Sequence, residues 1–490
     1  MLSVGKVREY IDYDKSSQRK QLLRLGRDYY EAKHDILKYE VYYVDENGIP
    51  VKDRIRSNIR ISHAFFTEIV DQCADYMIGN ERFVTSEDQT LDEQLAKYFD
   101  DEFTAEVKEW VRGMSYKGWE YLYAYKRNFP DGERLAFACA DSEGVVEVRA
   151  EDADDDCDHF IYWYDDRVDF GRKEVTRVQV WDENEVWYYV SVDKGELKLD
   201  PSEKVNPRPH VMWTEGNDDT TFYEGLGIIP FFRLDNNRKQ VSDLAPIKDL
   251  IDDYDLMACS LSNNLEDFTE GMYVVKGFDG DDLGELIYNL RNKKAIGVDD
   301  DGDVDIRTVD IPYEARKVKL ELDEKNIYRF GMGLNSAMVG DGNVTNVVIK
   351  SRYALLDMKA NKKESRLRAA LKNVIQMVLD EINASGNHAY TMQDVKIEFA
   401  REVITNELDN AQIELTDAQT EQTKVNTLLN VASTLGNEGI LEALCDILEL
   451  DYATIKASLP EDPTLDLVAS GNALASIPAE DGVNEDEFLG

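Results

Sequence analysis

Residues 242–266, SDLAPIKDLIDDYDLMACSLSNNLE, decide how the rest of the chain is read. Leu244, Ile247, Leu250, Ile251, Tyr254, Met257, Leu261 and Leu265 recur at three- and four-residue intervals, the period of a helix with one apolar face and not that of a strand. Ser242 and Asp243 stand where a cap is needed, and Pro246 falls in the first turn, where a missing N–H costs little. At ~1.5 Å of rise per residue the run spans roughly 35 Å.

A second helix is expected from Pro312, carrying Val318, Leu320, Leu322, Ile327, Tyr328 and Phe330 until Gly331 and Gly333 end it. The insert between the helices has a different character. Residues 272–276 and 294–298 read as short strands, 283–292 as a helix, and 304–308 as a strand returning through an Asp301-Gly302 turn. The pattern is a small α/β module held at the end of a helical hairpin.

Residues 334–348, LNSAMVGDGNVTNVV, are the most loop-like of the middle chain. Thr345 or Asn346 then caps a helix expected to reach about Asn383, with Tyr353, Leu356, Leu367, Leu371, Val374, Val378 and Ile382 on one face. Within it Lys350, Arg352, Lys359, Lys362, Lys363, Arg366, Arg368 and Lys372 stand against only Asp357 and Glu364, an unusual bias in so acidic a protein. Two readings fit this basic helix. Salt bridges to acidic neighbours, within the chain or from another subunit, are preferred over direct contact with DNA.

With 490 residues, 43% of them hydrophobic, the chain can bury several cores, and about two to four domains are expected. The formal charge of −43 argues against tight docking on phosphate, because nucleic-acid affinity comes largely from Lys and Arg neutralising phosphates. It fits solubility, or a surface from which a polyanion must be repelled. Cys73, Cys139, Cys157, Cys259 and Cys445 are scattered and lack CxxC spacing, as expected for a reducing, cytoplasmic origin. The opening MLSVGKVREYIDYDK has no apolar core for a signal peptide, and no run of about eighteen apolar residues occurs, so neither ordinary export nor a membrane span is expected.

On either side of the hairpin the period changes. Residues 17–38, 62–78 and 91–115 read as helices, and residues 40–44 pair through Asn47-Gly48 with a short partner. From Trp119 to Val241 the period is two, with strands suggested at 134–139, 145–148, 160–164, 175–181 and 186–192, closing on GLGIIPFF at 225–232. Residues 401–490 hold three basic residues against nineteen acidic ones and are expected to be helical at about 406–434, 438–448 and 451–458, with a disordered tail from 477.

Catalytic motifs are missing. There is no GxxxxGK[ST], GxSxG, HExxH or GxGxxG, and His34, His63, His159, His210 and His388 are far apart and read as structural or surface residues. Acidic clusters at 151–158, 279–282 and 299–305 invite a metal assignment. The last fails the calcium-loop spacing, since counting back from Gly302 places Gly297 at the first ligand position and Thr308 at the twelfth. A divalent ion at Asp152, Asp154 and Asp156 stays open beside the preferred solvated acidic loop, and no cofactor is required.

The order of these features resembles the portal proteins of tailed bacteriophages, of the long-tailed siphophage type. The resemblance runs through YYEAKHDIL (29–37), NIRISHAFFTEIVDQCADYMIGNERF (58–83), GWEYLYAYK (118–126), GIIPFFRLDNNRKQVSDLAPIKDLIDDYDLMACSLSNNLEDF (227–268) and GNVTNVVIKSRYALLDMKANKKESRLRAAL (342–371). It implies a multidomain, predominantly helical α+β fold, and a ring of about twelve copies around a DNA channel at one capsid vertex. On that pattern 1–243 is the wing, 244–267 and 312–333 the stem helices, 268–311 the clip, 334–348 the tunnel loop, 349–400 the long wing helix and 401–490 the acidic crown and tail.

The tunnel-loop residues would be Asn335, Ser336, Met338, Val339, Asp341, Asn343 and Val344. Lys317, Lys325 and Arg329 are candidates for the channel face of the stem, and Asp279, Asp281, Asp282, Asp301 and Asp303 for partner binding by the clip. Implied partners are further copies of the chain, double-stranded DNA passing non-specifically, a separate terminase motor, a head-completion protein, and the major capsid and scaffold proteins. The expected location is the virion, after assembly in the host cytoplasm. The resemblance carries over no catalytic residue, so the chain is read as non-enzymatic. The alternatives are an acidic minor capsid or scaffold-associated protein, and a metal-dependent nuclease or phosphoesterase using residues 151–158.

Overall fold

A computed structural model of the chain describes residues 2–45, 47–54, 56–79, 81–130, 132–149, 157–214, 221–267, 272–276, 303–307, 312–335, 346–386 and 388–401, and beyond them 419–420, 422–428, 430, 441–445 and 452. The fold mixes helix and sheet. It divides into two compact units, residues 1–340 with 352–403, and residues 341–351 with 404–490. In the second unit the described residues are helical at 422–428 and 441–445, and Leu428 and Cys445 are buried.

The first unit opens with α1 (Val4–Ser16) and α2 (Gln18–Tyr30). Ser17 separates them because its Oγ accepts from the Lys20 N–H at 3.2 Å, a side-chain cap that restarts the helix. Helix α1 was not expected from sequence. It buries only Val7 and Ile11, too little to hold an isolated helix, and those two residues pack onto a sheet core of Val146, Ile161, Trp163 and Val178. Helix α2 stops short of the expected residue 38, since Ala32 turns the chain at φ 55° before a short 3₁₀ turn at Asp35–Lys38.

After the hairpin of β1 (Tyr42–Val44) and β2 (Pro50–Lys52) come α3 (Phe65–Ile78) and the short β3 (Val84–Thr85). The single helix expected at 91–115 is two, α4 (Gln89–Tyr98) and α5 (Asp101–Lys117). Asp88 and Asp100 each cap one of them, Asp100 Oδ1 accepting from the Phe103 N–H at 3.0 Å. Helices α2 and α5 cross so closely that a Cβ on Gly26 would lie 1.9 Å from the Tyr116 carbonyl oxygen. Gly26→Ala must therefore push the two backbones apart, and is expected to destabilise the fold by about 2–3 kcal/mol in urea denaturation.

The β-rich stretch comprises β4 (Trp119–Phe129), β5 (Gly132–Ala140), β6 (Val145–Arg149), β7 (Cys157–Val168), β8 (Lys173–Trp181), β9 (Glu185–Val192), β10 (Lys198–Leu199), β11 (Arg208–Pro209), β12 (Val211–Thr214), β13 (Thr221–Glu224) and β14 (Phe231–Asp235). They form an antiparallel sheet in the order β10-β9-β8-β7-β6 with β11 on β9, a second in the order β14-β4-β5, and a β12-β13 pair. Leu23 of α2 joins Trp119, Tyr121, Phe160, Trp181 and Phe231 in the core shared by these sheets. The GLGIIPFF segment thus ends in a strand beside β4, Phe231 opposite Tyr123 and Asp235 opposite Trp119, which brings the chain back to the end of α5.

The hairpin follows as α6 (Lys248–Asp267), β15 (Met272–Lys276), β16 (Asp303–Arg307) and α7 (Tyr313–Gly331). Helix α6 begins four residues later than its apolar period suggests. Pro246 has no N–H, and residues 244–247 form a turn in which Leu244 O accepts from the N–H groups of Ile247 and Lys248, both at 2.9 Å. Strands β15 and β16 pair antiparallel, Met272 opposite Arg307 and Lys276 opposite Asp303. The expected helix at 283–292 and strand at 294–298 lie outside the described residues. The long helix α8 (Asn346–Gly386) buries Tyr353, Leu356, Leu367, Leu371, Val374, Val378 and Ile382, the face its period marks. β17 (Lys396–Ile397) then pairs with β3. Among the described residues no helix is long and apolar enough to cross a membrane.

Candidate functional site

The α6–α7 hairpin is buried along one face at one end and exposed at the other, with Phe330 at the covered end also half exposed. Ile251, Asp255 and Cys259 of α6 and Asp323, Ile327, Tyr328 and Gly331 of α7 are covered, whereas Leu265 at the far end of α6 and Tyr313, Val318 and Leu322 of α7 are exposed. At the covered end Ile247, Ile251, Ile327 and Tyr328 share one core with Tyr29 of α2 and Phe66, Ile69 and Val70 of α3. Lys319 ties the two hairpin helices together, reaching Asp253 at 2.5 Å across the pair and Asp323 on its own helix.

The first polar anchor of this base is Asp243. Its carboxylate lies 3.0 Å from Lys359 Nζ and 2.6 Å from Lys363 Nζ, two lysines of α8 whose side chains are only 7% and 4% exposed. Asn236 donates to it at 2.8 Å, and the Asp243 N–H donates to Ser115 O at 2.9 Å. Lys359 also donates to Gly331 O at 3.0 Å, and Lys363 to Ser115 Oγ at 2.5 Å. One cluster therefore joins the end of α5, the turn before α6, the last residue of α7 and the body of α8. Burial pushes the Asp243 carboxyl up, but the Lys359 and Lys363 charges outweigh it and hold the group well below the usual carboxylate range. Lys363 shows the converse, burial lowering it and Asp243 raising it to a net increase.

The second anchor is Asp255, fully buried on α6. His34 Nδ1 lies 2.6 Å from one carboxylate oxygen, and His63 Nδ1 and its backbone N–H lie 2.7 Å and 3.0 Å from the other. His34 Nε2 faces Tyr29 O at 3.2 Å, so both of its ring nitrogens meet acceptors. Burial raises the Asp255 carboxyl, and the His34 and His63 hydrogen bonds then bring it below its ordinary value. This pairing explains why residues 62–64 are not helical as expected. The His63 N–H is used against α6, and α3 begins at Phe65.

The third anchor holds the chain as it leaves the hairpin. The side-chain amide of Gln72 accepts from the Leu334 N–H at 3.1 Å and donates to Leu334 O at 2.9 Å, while Asn335 Nδ2 donates to Glu324 at 2.9 Å. The root of the loop-like segment is thus fixed to α3 and α7. Of the expected loop residues, Asn335 alone is described; Ser336, Met338, Val339, Asp341, Asn343 and Val344 lie outside the described residues.

On α7, Lys317 is exposed and 4.0 Å from Glu321, Lys325 is exposed, and Arg329 is exposed beside the Phe330 ring. Asp303 falls on β16, and Asp279, Asp281, Asp282 and Asp301 lie outside the described residues. The basic helix does not act as one surface. Lys359 and Lys363 face inward to Asp243, Arg366 lies one turn further along the same stripe and lines a cleft, Arg352 is half-buried, and Lys350 lies in the first turns of α8.

Sequence reading missed Asp243, Asp255 and Gln72. Asp243 reads, with Ser242, as a helix cap, but α6 starts only at Lys248, and Ser242 Oγ accepts from the Leu244 N–H at 3.1 Å in the turn before it. The available signal for Asp255 was its place on the apolar stripe, four residues from both Ile251 and Cys259. These networks are internally satisfied. They fix geometry, and none sets a nucleophile beside a base over a cavity. Among the described residues no group of three His, Cys, Asp or Glu side chains is placed to hold a metal ion, and the acidic cluster at 151–156 is outside them.

Comparison with known proteins gives a consistent result. A family model described as phage portal protein, SPP1 Gp6-like, matches residues 9–448. The chain is 30% identical over 390 residues to the portal protein of Bacillus phage SPP1, covering 79% of this chain and 75% of that one. It is 25% identical over 431 residues to the portal protein of Clostridium phage phiCD119, covering 84% of this chain and 89% of that one.

Proposed function

The chain belongs to the SPP1 Gp6-like phage portal protein family, and from that premise we propose that it forms a ring at one capsid vertex, through which a separate motor packages the DNA that later leaves by the same channel. The observation that carries this reading is the one-ended anchoring of the α6–α7 hairpin. A stem in a ring of about twelve copies must be rigid where it meets the body and free along its flank for neighbouring copies. The hairpin is covered at its base by Asp243, Asp255 and the Ile247/Ile327 core, and exposes Leu265, Tyr313, Val318 and Leu322 beyond it.

On this reading 268–311 is the clip that meets the motor and the head-completion protein, 334–348 the tunnel loop, 349–400 the segment whose helix α8 supports it, and 401–490 the crown. The Gln72 clamp on Leu334 supports the tunnel-loop assignment, because a moving collar needs a fixed root. The −43 charge suits a conduit that confines DNA without holding it. Lys317, Lys325 and Arg329 are the stem cations offered to the lumen. The chain supplies symmetry and alignment, needs no cofactor and performs no catalysis itself. Capsid and scaffold proteins surround it in the virion, after assembly in the host cytoplasm.

The test is DNA packaging into particles assembled from capsid, scaffold and motor proteins, with and without this chain. Nuclease-protected DNA should appear only when the chain is present. Equal protection without it, or ATP hydrolysis by the purified chain alone, would remove the proposal.

A further inference from the structure

A cleft of about 600 Å³ in the first unit is lined from α1, α2, β4, β6, β14, the segment after β14, and α8. It runs against the charge of the chain. Its walls carry Arg19, Lys20, Arg149, Arg233, Arg238 and Arg366 against the carboxylates of Asp14, Glu147 and Asp235 only. Those three carboxylates are already engaged. Glu147 accepts from Tyr121 Oη at 2.7 Å and from Arg233 at 2.6 Å. Asp235 pairs with Arg233 at 3.1 Å and accepts from Gln240 at 2.8 Å, and Asp14 pairs with the buried Lys20 at 2.9 Å.

Arg19, Arg238 and Arg366 are left over. None has an ion-pair or hydrogen-bond partner among the described residues, and Arg19 instead lies over the Trp119 ring at 3.8 Å. They come from three parts of the chain far apart in sequence, so their convergence is made by the tertiary fold and not by a basic run. Three guanidinium groups around a concave floor form a site for carboxylate or phosphate.

We propose that this cleft takes exposed carboxylates of a second copy of this chain, an inference that rests on the ring reading above. Two copies at −43 repel each other, so a closed ring needs local sites of opposite sign at each head-to-tail contact. The acid-rich surface of a neighbour supplies carboxylates singly or in short runs, which suits a cleft of this size. A duplex would bring a continuous line of phosphates against a chain whose net charge is −43, which opposes it.

The test uses the full-length chain, wild type and R19Q/R238Q/R366Q, with K38Q/K97Q/K194Q as a control that removes the same charge from exposed positions elsewhere. Octaglutamate, inorganic phosphate and a short DNA duplex are titrated calorimetrically, and the ring fraction is followed by native mass spectrometry at rising salt. Octaglutamate should bind wild type and the control in a salt-sensitive way, and bind the cleft variant about tenfold more weakly, with ring closure shifted to higher protein concentration. Equal peptide binding and equal ring closure in all three proteins would overturn the cleft while leaving the portal reading intact. Preference for the duplex over octaglutamate would overturn it in favour of phosphate. If wild type forms no ring even when capsid and scaffold proteins are added, the ring reading fails, and loss of octaglutamate binding in the cleft variant still decides the chemistry of the cleft.

Discussion

Asp243→Ala is expected to lower the unfolding free energy of the first unit by roughly 3–5 kcal/mol, because it leaves two ammonium groups buried without their shared counter-ion. Lys359 and Lys363 are almost fully covered, and their other partners, Gly331 O and Ser115 Oγ, are neutral. The loss should appear as a lower urea midpoint with little change in slope. The triple replacement D243L/K359M/K363M removes the charges together and is expected to recover most of the stability, since apolar side chains of similar size often replace a buried ion cluster at little cost. Recovery would show that the penalty in the single variant comes from uncompensated charge. A single variant as stable as wild type would mean that the cluster does not hold the hairpin base.

Asp255→Ala is expected to cost about 3 kcal/mol, by leaving the buried His34 ring and the His63 backbone N–H without their acceptor. The effect should concentrate where α6 meets the segment before α3, so hydrogen exchange of the amides at 59–63 should speed up before that of α8. Asp255→Asn keeps an acceptor oxygen and is expected to lose less. Both anchors also set a pH dependence. The Asp243 and Asp255 carboxyls are held below their ordinary value in the fold. The unfolded chain therefore binds protons first as pH falls. The stability they contribute is complete above about pH 5 and is lost progressively below about pH 4. An acid titration of unfolding should show this loss in wild type, and a shallower one in the D243L/K359M/K363M protein.

The helices that carry the architecture were legible because they bury long stripes of regular period: α8 through Tyr353 to Ile382, and α6 through Ile251 and Cys259. Strands β5 to β9 were legible from alternation, whereas β10 to β14 were not, being two to five residues each, and Asn47-Gly48 marked the β1–β2 turn. Helix α1 was not, because Val7 and Ile11 gain their helix from the sheet they cover. The break between α4 and α5 turns on one carboxylate, that of Asp100, used as a cap within an acidic run where many would serve.

The anchors were least legible of all. Asp243 meets lysines more than a hundred residues away, Asp255 meets histidines about two hundred residues away, and Gln72 meets Leu334 across most of the unit. Charge alone does not distinguish such residues from their many exposed neighbours. The basic helix illustrates this, since Lys359 and Lys363 are buried ion-pair partners while Arg366, one turn on, lines an open cleft.

Native mass spectrometry of the purified full-length chain, with negative-stain images of the same sample, tests the central claim most directly. A closed ring of about twelve copies with an axial hole is the predicted result. A monomer or dimer at every concentration, unchanged when capsid and scaffold proteins are added, would contradict it.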